Sequence, residues 1–217
     1  MTQRPVQGSP GMSAASAGDA RLGDAAARRT EPAELLARDA ERVAQACYEM
    51  ALRFHGGGRL VVFGTGSAVT DAQHIAVEFV HPVIVGKRAL PAFSLANDMP
   101  TVTGVAARDG LAEVFAHQLR YLGDPRDIAL GVSADGHSDN VLRGLEVAHD
   151  AGMLTIALSG GDGGKIAASP AVDHAFAVGS DDPLVVKEVQ VTTYHILWEL
   201  VHVFFEQPGL LDPGVVR

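Results

Sequence analysis

Leu60-Val61-Val62-Phe63-Gly64-Thr65-Gly66-Ser67-Ala68 opens a segment that runs on to Glu78 and changes character twice. Its first residues are apolar without alternation, the pattern of a strand buried on both faces. Two glycines then bracket Thr65, and from Ala68 the apolar spacing becomes helical. A strand, a glycine turn and a helix in that order aim backbone N–H groups at the helix's positive end, where an anion is favoured. Deeper in the same helix, His74 and Glu78 stand four residues apart, so an imidazole and a carboxylate share one face. Taken alone, the turn at 64–67 is also what an ordinary tight connection looks like. It lacks the third glycine of a dinucleotide fingerprint and a Walker lysine. A plain surface helix could carry the same His–Glu pair.

Outward from this segment, short apolar runs alternate with helical patterns. The runs are 59–63, 90–95, 128–133, 153–158 and 174–178; the helices are 68–81, 111–122, 138–151 and 184–205. An earlier helix spans 34–54 and stops at Gly56-Gly57-Gly58. Strands apolar throughout and separated by helices predict a parallel sheet covered on both faces. The expected fold is an α/β, three-layer αβα sandwich with a five-stranded parallel sheet, flavodoxin-like. Ligands in such folds sit at the carboxyl ends of the strands, where 64–68 and 134–138 fall. Residues 1–31, rich in Ala, Gly, Ser and Arg, are expected to form a disordered or weakly ordered tail.

Composition narrows the functional class. The chain has 217 residues, enough for one α/β domain, and a net charge of −9. That balance argues against direct nucleic-acid binding and against an anionic membrane surface. The single cysteine, Cys47, excludes an intramolecular disulfide. With no signal-peptide pattern and no long apolar run, a cytoplasmic location and no membrane contact are expected.

Two further turns could meet an anion. Ser133 and Ser138 flank Gly136 after the third strand, and Ser138 could cap the next helix. Asp135 lies between them and opposes a phosphate dianion by several kcal/mol at an effective dielectric of about 20. The glycine-rich stretch 160–165 ends in Lys165 and reads equally as a flexible turn. His195 lies in an apolar helix whose stripe is Val186, Val189, Ile196, Leu197, Leu200 and Phe204, where a core histidine is the ordinary finding. The Glu-x-x-His spacings at 78–81 and 199–202 match di-iron bundles, but the interleaved strands exclude that architecture.

Together these pieces resemble the sugar isomerase (SIS) domain family, within it the sedoheptulose 7-phosphate isomerase and DiaA-like branch. The elements that carry the resemblance are Gly64-x-Gly66, Asp71-Ala-x-His74-x-Ala-x-Glu78, Ser133-x-x-Gly136-x-Ser138, the 158–165 loop and Glu188 followed by His195-Ile-Leu. It implies a SIS domain over residues 32–217 and a homotetramer with shared active sites. For chemistry it implies Glu78 as base and His195 as acid in an aldose–ketose isomerisation of a phosphorylated sugar. By the same resemblance Thr65, Gly66, Ser67, Asn97, Asp98, Ser133, Asp135, Ser138 and Lys187 lie at substrate-binding positions. Some members bind zinc through residues matching His74, Glu78 and His195 plus a glutamine.

The chain departs from that pattern where function is densest. Lys187 stands for the glutamine, Ala134-Asp135 for a Thr-Ser pair, Ala68 for a serine and Pro82 for an arginine. Protonated lysine has no lone pair for a metal, so no cofactor is expected to be required. Its ammonium is expected instead to pair with Glu78 or Asp135, or else to extend along the apolar surface to solvent. The alternative function is a non-catalytic scaffold acting through a protein partner, as in the DiaA branch.

Overall fold

The computed structural model describes residues 14–207 and 209–211. Five strands form one parallel sheet: β1 (Leu60–Gly64), β2 (Ala92–Ser94), β3 (Ile128–Ser133), β4 (Leu154–Ser159) and β5 (His174–Ala177), in the spatial order β2-β1-β3-β4-β5. The direction of sequence progression reverses between β1 and β3, which pair in register from Leu60 opposite Ile128 to Gly64 opposite Val132. That switch point is where doubly wound sheets leave a crevice for ligands.

Two cores explain why the central strands are apolar throughout. Successive strand side chains point to opposite faces. Leu60, Val62, Leu130 and Ile156 enter one core with α2 (Ala40–His55), α3 (Ala68–Val80) and α8 (Pro183–Phe205). Val61, Phe63, Ala129 and Ala157 enter the other with α4 (Met99–Asp109), α5 (Val114–Leu122) and α6 (Asp139–Asp150). Gly131 faces this second layer. A Cβ there would lie 2.8 Å from Val141, so its absence lets α6 pack close to the sheet.

Helix α1 (Ala14–Arg38) runs through positions 14–31 of the segment expected to form a disordered or weakly ordered tail; residues 1–13 lie outside the described residues. Composition hid this helix because its face is held by charge. Arg28 bonds Asp182 at 2.6 Å, and Arg29 grips Glu188 through two guanidinium nitrogens. The helix expected over 34–54 is divided at Asp39 between α1 and α2. Helix α4 also went unread. Among its residues only Val105 is buried, so its apolar periodicity is faint, and Asp98 and Pro100 mark its start. A single turn, α7 (Gly164–Ala167), completes the fold. No helix among the described residues is long and apolar enough to cross a membrane.

Candidate active site

Helix α3 positions the main cluster. At its entry a Cβ on Gly64 would lie 2.9 Å from the Ala68 Cβ, so the glycine allows the helix to begin tight against the sheet. Two turns on, His74 Nε2 lies 3.1 Å from Glu78 Oε1. His195 reaches the same place from α8. One ligating atom each from His74, Glu78 and His195 falls within 4.8 Å of the others. These three side chains line a cavity of about 420 Å³ with Ile84, Lys87 and Trp198. The sequence-predicted proton-transfer pair is therefore brought together within one chain.

Two residues that the sequence reading passed over hold the cluster in place. Tyr194 Oη is 2.8 Å from His74 Nδ1. Burial, then the charges of Asp71 and Glu78, push the Tyr194 phenol well above its ordinary pKa, so it stays protonated. Trp198 Nε1 donates to the Glu78 carbonyl at 2.9 Å, tying α8 to α3 at the level of the carboxylate. Both sit in the apolar stripe of α8, where sequence alone reads aromatic residues as core. The rings of His74 and His195 meet edge to face with centroids 5.3 Å apart.

Lys187 does not do what its charge suggested. Its Nζ donates to Ser67 O at 3.0 Å, Thr70 Oγ1 at 2.8 Å and Asp71 Oδ2 at 2.5 Å, rather than pairing with Glu78 or Asp135. The reason is local. Asp71, buried at the first turn of α3, needs a cation, and among the described residues Lys187 supplies it. A metal ion at the cluster would have two imidazole nitrogens and one carboxylate oxygen, the three-ligand donor set of catalytic zinc with a position left open. Lys187 adds no donor to it.

A second cavity, of about 250 Å³, opens at the β1–β3 switch point and is lined by Thr65, Leu111, Ala112, Ser138, Asp139 and Asn140. It shares no lining residue with the first. Thr65 Oγ1 donates to Asn140 Oδ1 at 2.8 Å, which links the two loops across the crevice. Gly66 turns with φ 63°, and Ser67 leads into α3 without a side-chain cap.

Beside this cavity the loop after β3 binds its own carboxylate. Asp135 Oδ1 accepts from His137 N at 2.8 Å and from Ser133 Oγ at 3.2 Å. Ser133 Oγ is also 3.0 Å from Ser138 Oγ and accepts from Gly136 N at 3.0 Å. Lys165 is engaged by Asp139. At the end of β2, Asn97 Oδ1 accepts from Gln73 at 2.9 Å. Asp98 caps α4 through the Thr101 amide and hydroxyl, which hold its carboxyl below the usual range.

The sequence profile of the SIS domain matches residues 26–160. The chain belongs to the SIS domain family. Among its relatives is the phosphoheptose isomerase of Thermodesulfovibrio yellowstonii, 40% identical over 74% of this chain and 79% of the relative. Another is that of Solidesulfovibrio magneticus, 37% identical over 80% and 84%. Solved structures with the same fold include phosphoheptose isomerases from Neisseria gonorrhoeae and Francisella tularensis. The first superposes with a TM-score of 0.76 at 27% identity, covering 84% of this SIS domain protein and 97% of that chain. The second gives 0.77 at 28%, covering 86% and 98%.

Proposed function

We propose that this SIS domain protein is an aldose–ketose isomerase acting on a phosphorylated sugar, of the phosphoheptose isomerase type. One observation carries the reading: Glu78 and His195, on different helices, converge within 4.8 Å at a cavity large enough for a sugar chain. Isomerisation needs a base for the proton on the carbon next to the carbonyl and an acid for the carbonyl oxygen. Glu78, with only 12% of its side chain exposed, takes the first role. His195, from the opposite helix, takes the second, and an enediolate connects ketose and aldose. Zinc held by His74, Glu78 and His195 would supply Lewis-acid polarisation of the carbonyl; the proton-transfer pair itself consists of residues of this chain.

The same reading extends to a cytoplasmic homotetramer. An apolar groove of about 250 Å³ between α1, α2 and α8, lined by Leu36, Val43, Ile196 and Leu200, supports self-association. So do Val77, Val80, Val83 and Val85, which are exposed near the catalytic cavity.

The test is incubation with sedoheptulose 7-phosphate and detection of the aldose product. Turnover that disappears in Glu78→Gln and in His195→Ala is expected; a wild-type protein without turnover overturns the assignment. A second reading, a non-catalytic scaffold working through a protein partner, draws on the Asp135 carboxylate, which already engages donors of the loop after β3. Binding of the sugar phosphate without turnover would favour it.

A further inference from the structure

The loop after β3, where this fold meets anions, is already engaged by the chain's own carboxylate. Asp135 accepts from the His137 amide and the Ser133 hydroxyl. The switch-point cavity beside that loop shares no lining residue with the cavity of Glu78 and His195. A phosphate on the substrate therefore needs a cation elsewhere. The chain has three lysines. Lys187 serves buried Asp71, and Lys165 is held by Asp139 at the switch point. Lys87, from the connection between α3 and β2, lines the same cavity as Glu78 and His195. No other lysine or arginine among the described residues does so.

We propose that Lys87 holds the phosphate of the substrate, an inference that rests on the phosphorylated-sugar reading of the site. Its resting partner is replaceable. Lys87 Nζ meets a carboxylate oxygen of Glu206, the residue after α8, whose side chain is 59% exposed. Exposed ion pairs contribute little, because water competes for both charges. Glu206 can thus return to solvent when another anion arrives, which Asp71, buried beneath Lys187, cannot. A phosphate monoester brings about −1.5 to −2 charges at pH 7 and three acceptor oxygens, where Glu206 brings a single charge. Val83, Ile84, Trp198 and Val203 form the apolar part of the cavity wall, which weakens the attraction less than water does. Glu199 also lines the cavity, but it is exposed and its charge is screened. Helix α8 lines the cavity from His195 to Val203, about 12 Å of helix axis. Proton transfer belongs to the His195 end, and Lys87 meets Glu206 just beyond the other. The substrate class that spans the two is a sugar whose phosphate stands several carbons from its carbonyl.

The experiment uses full-length protein with lysine labelled by ¹³C at Cε, which gives one signal for each of the three lysines. The Lys87 signal is assigned by its loss in Lys87→Met, a change that keeps the length of the arm and removes the charge. Inorganic phosphate is titrated at constant ionic strength. The Lys87 signal is expected to shift saturably while those of Lys165 and Lys187 stay in place. Calorimetry with the same probe should show binding at least about tenfold weaker in Lys87→Met and severalfold tighter in Glu206→Gln, which removes the competing carboxylate. A stationary Lys87 signal, a shift at Lys165 in its stead, or equal affinity of Lys87→Met and the wild type overturns the proposal. Should Lys87→Met fail to fold, the wild-type titration with Lys165 and Lys187 as references and the Glu206→Gln affinity decide. Absence of turnover with sedoheptulose 7-phosphate bears on the isomerase assignment and leaves the phosphate titration intact.

Discussion

Lys187 Nζ lies 2.5 Å from Asp71 Oδ2 and joins helix α8 to the first turn of α3. The aspartate is 4% exposed at its side chain and the lysine 36%, so the carboxylate depends on this partner. Removing one member of a buried pair leaves an uncompensated charge, which is costlier than the pair is favourable. Lys187→Met is expected to lower the unfolding free energy by about 3 kcal/mol. Lys187→Gln, whose amide still donates to Asp71, should cost about 1 kcal/mol. Urea midpoints at unchanged slope check both. Equal stability of the Met variant and the wild type would show that solvent already screens Asp71.

Cys47 packs in the core between α2 and α8, with Sγ 3.8 Å from the Leu197 carbonyl. Burial pushes its thiol up to about 12, because the thiolate would lose its hydration. At pH 8 the reactive thiolate is then present in roughly one molecule in 10⁴, against about a quarter for a free thiol. Native protein is expected to resist iodoacetamide at pH 8 and to react rapidly once unfolded in urea. Stoichiometric labelling of the native state would show that the α2–α8 contact opens readily.

Gly136 combines two constraints. Its φ is 74°, and a Cβ there would stand 2.2 Å from the Gly163 carbonyl oxygen. An alanine is strained by conformation and also collides with backbone that cannot swing aside. Gly136→Ala should destabilise by about 2 kcal/mol or more, seen as a fall in Tm of roughly 4–8 °C. A Tm within a degree of the wild type would mean that the two loops separate at little cost.

Much of this was legible in the residues. The unalternating runs at 128–133 and 153–158 predict parallel strands because helices cover both faces; β3 begins and ends where its run does, and β4 is offset from its run by one residue. The His74–Glu78 pair follows from helical period alone. Which helix supplies its partner is a tertiary matter, legible only through the family resemblance that named His195. Lys187 was misjudged because a charge in a sequence has no address: the nearest buried carboxylate, Asp71, was itself invisible as buried. Tyr194 was hidden for the converse reason, since an aromatic residue in an apolar helix looks like core and in part is core. Helix α1 escaped because its anchors, Arg28 and Arg29, find acids more than 150 positions away.

Asp135 poses the sharpest test of how the loop after β3 treats ligands. Its Oδ1 takes the His137 amide and the Ser133 hydroxyl, donors that stand beside the switch-point cavity at the start of α6. An external phosphate seeking those donors must displace a carboxylate and then tolerate it nearby. At about 4 Å and an effective dielectric near 20, two unit charges repel by about 4 kcal/mol. Serine at this position removes the charge and keeps a hydroxyl. Asp135→Ser is therefore expected to bind inorganic phosphate at least about tenfold more tightly than the wild type by calorimetry, equivalent to about 1.4 kcal/mol. Asp135→Asn, which keeps the side chain's reach but not its charge, should show most of the same gain. The thermal midpoints of both variants confirm that the loop still folds. If neither variant gains affinity, phosphate binds away from this loop, and Asp135 serves only to hold the turn between β3 and α6.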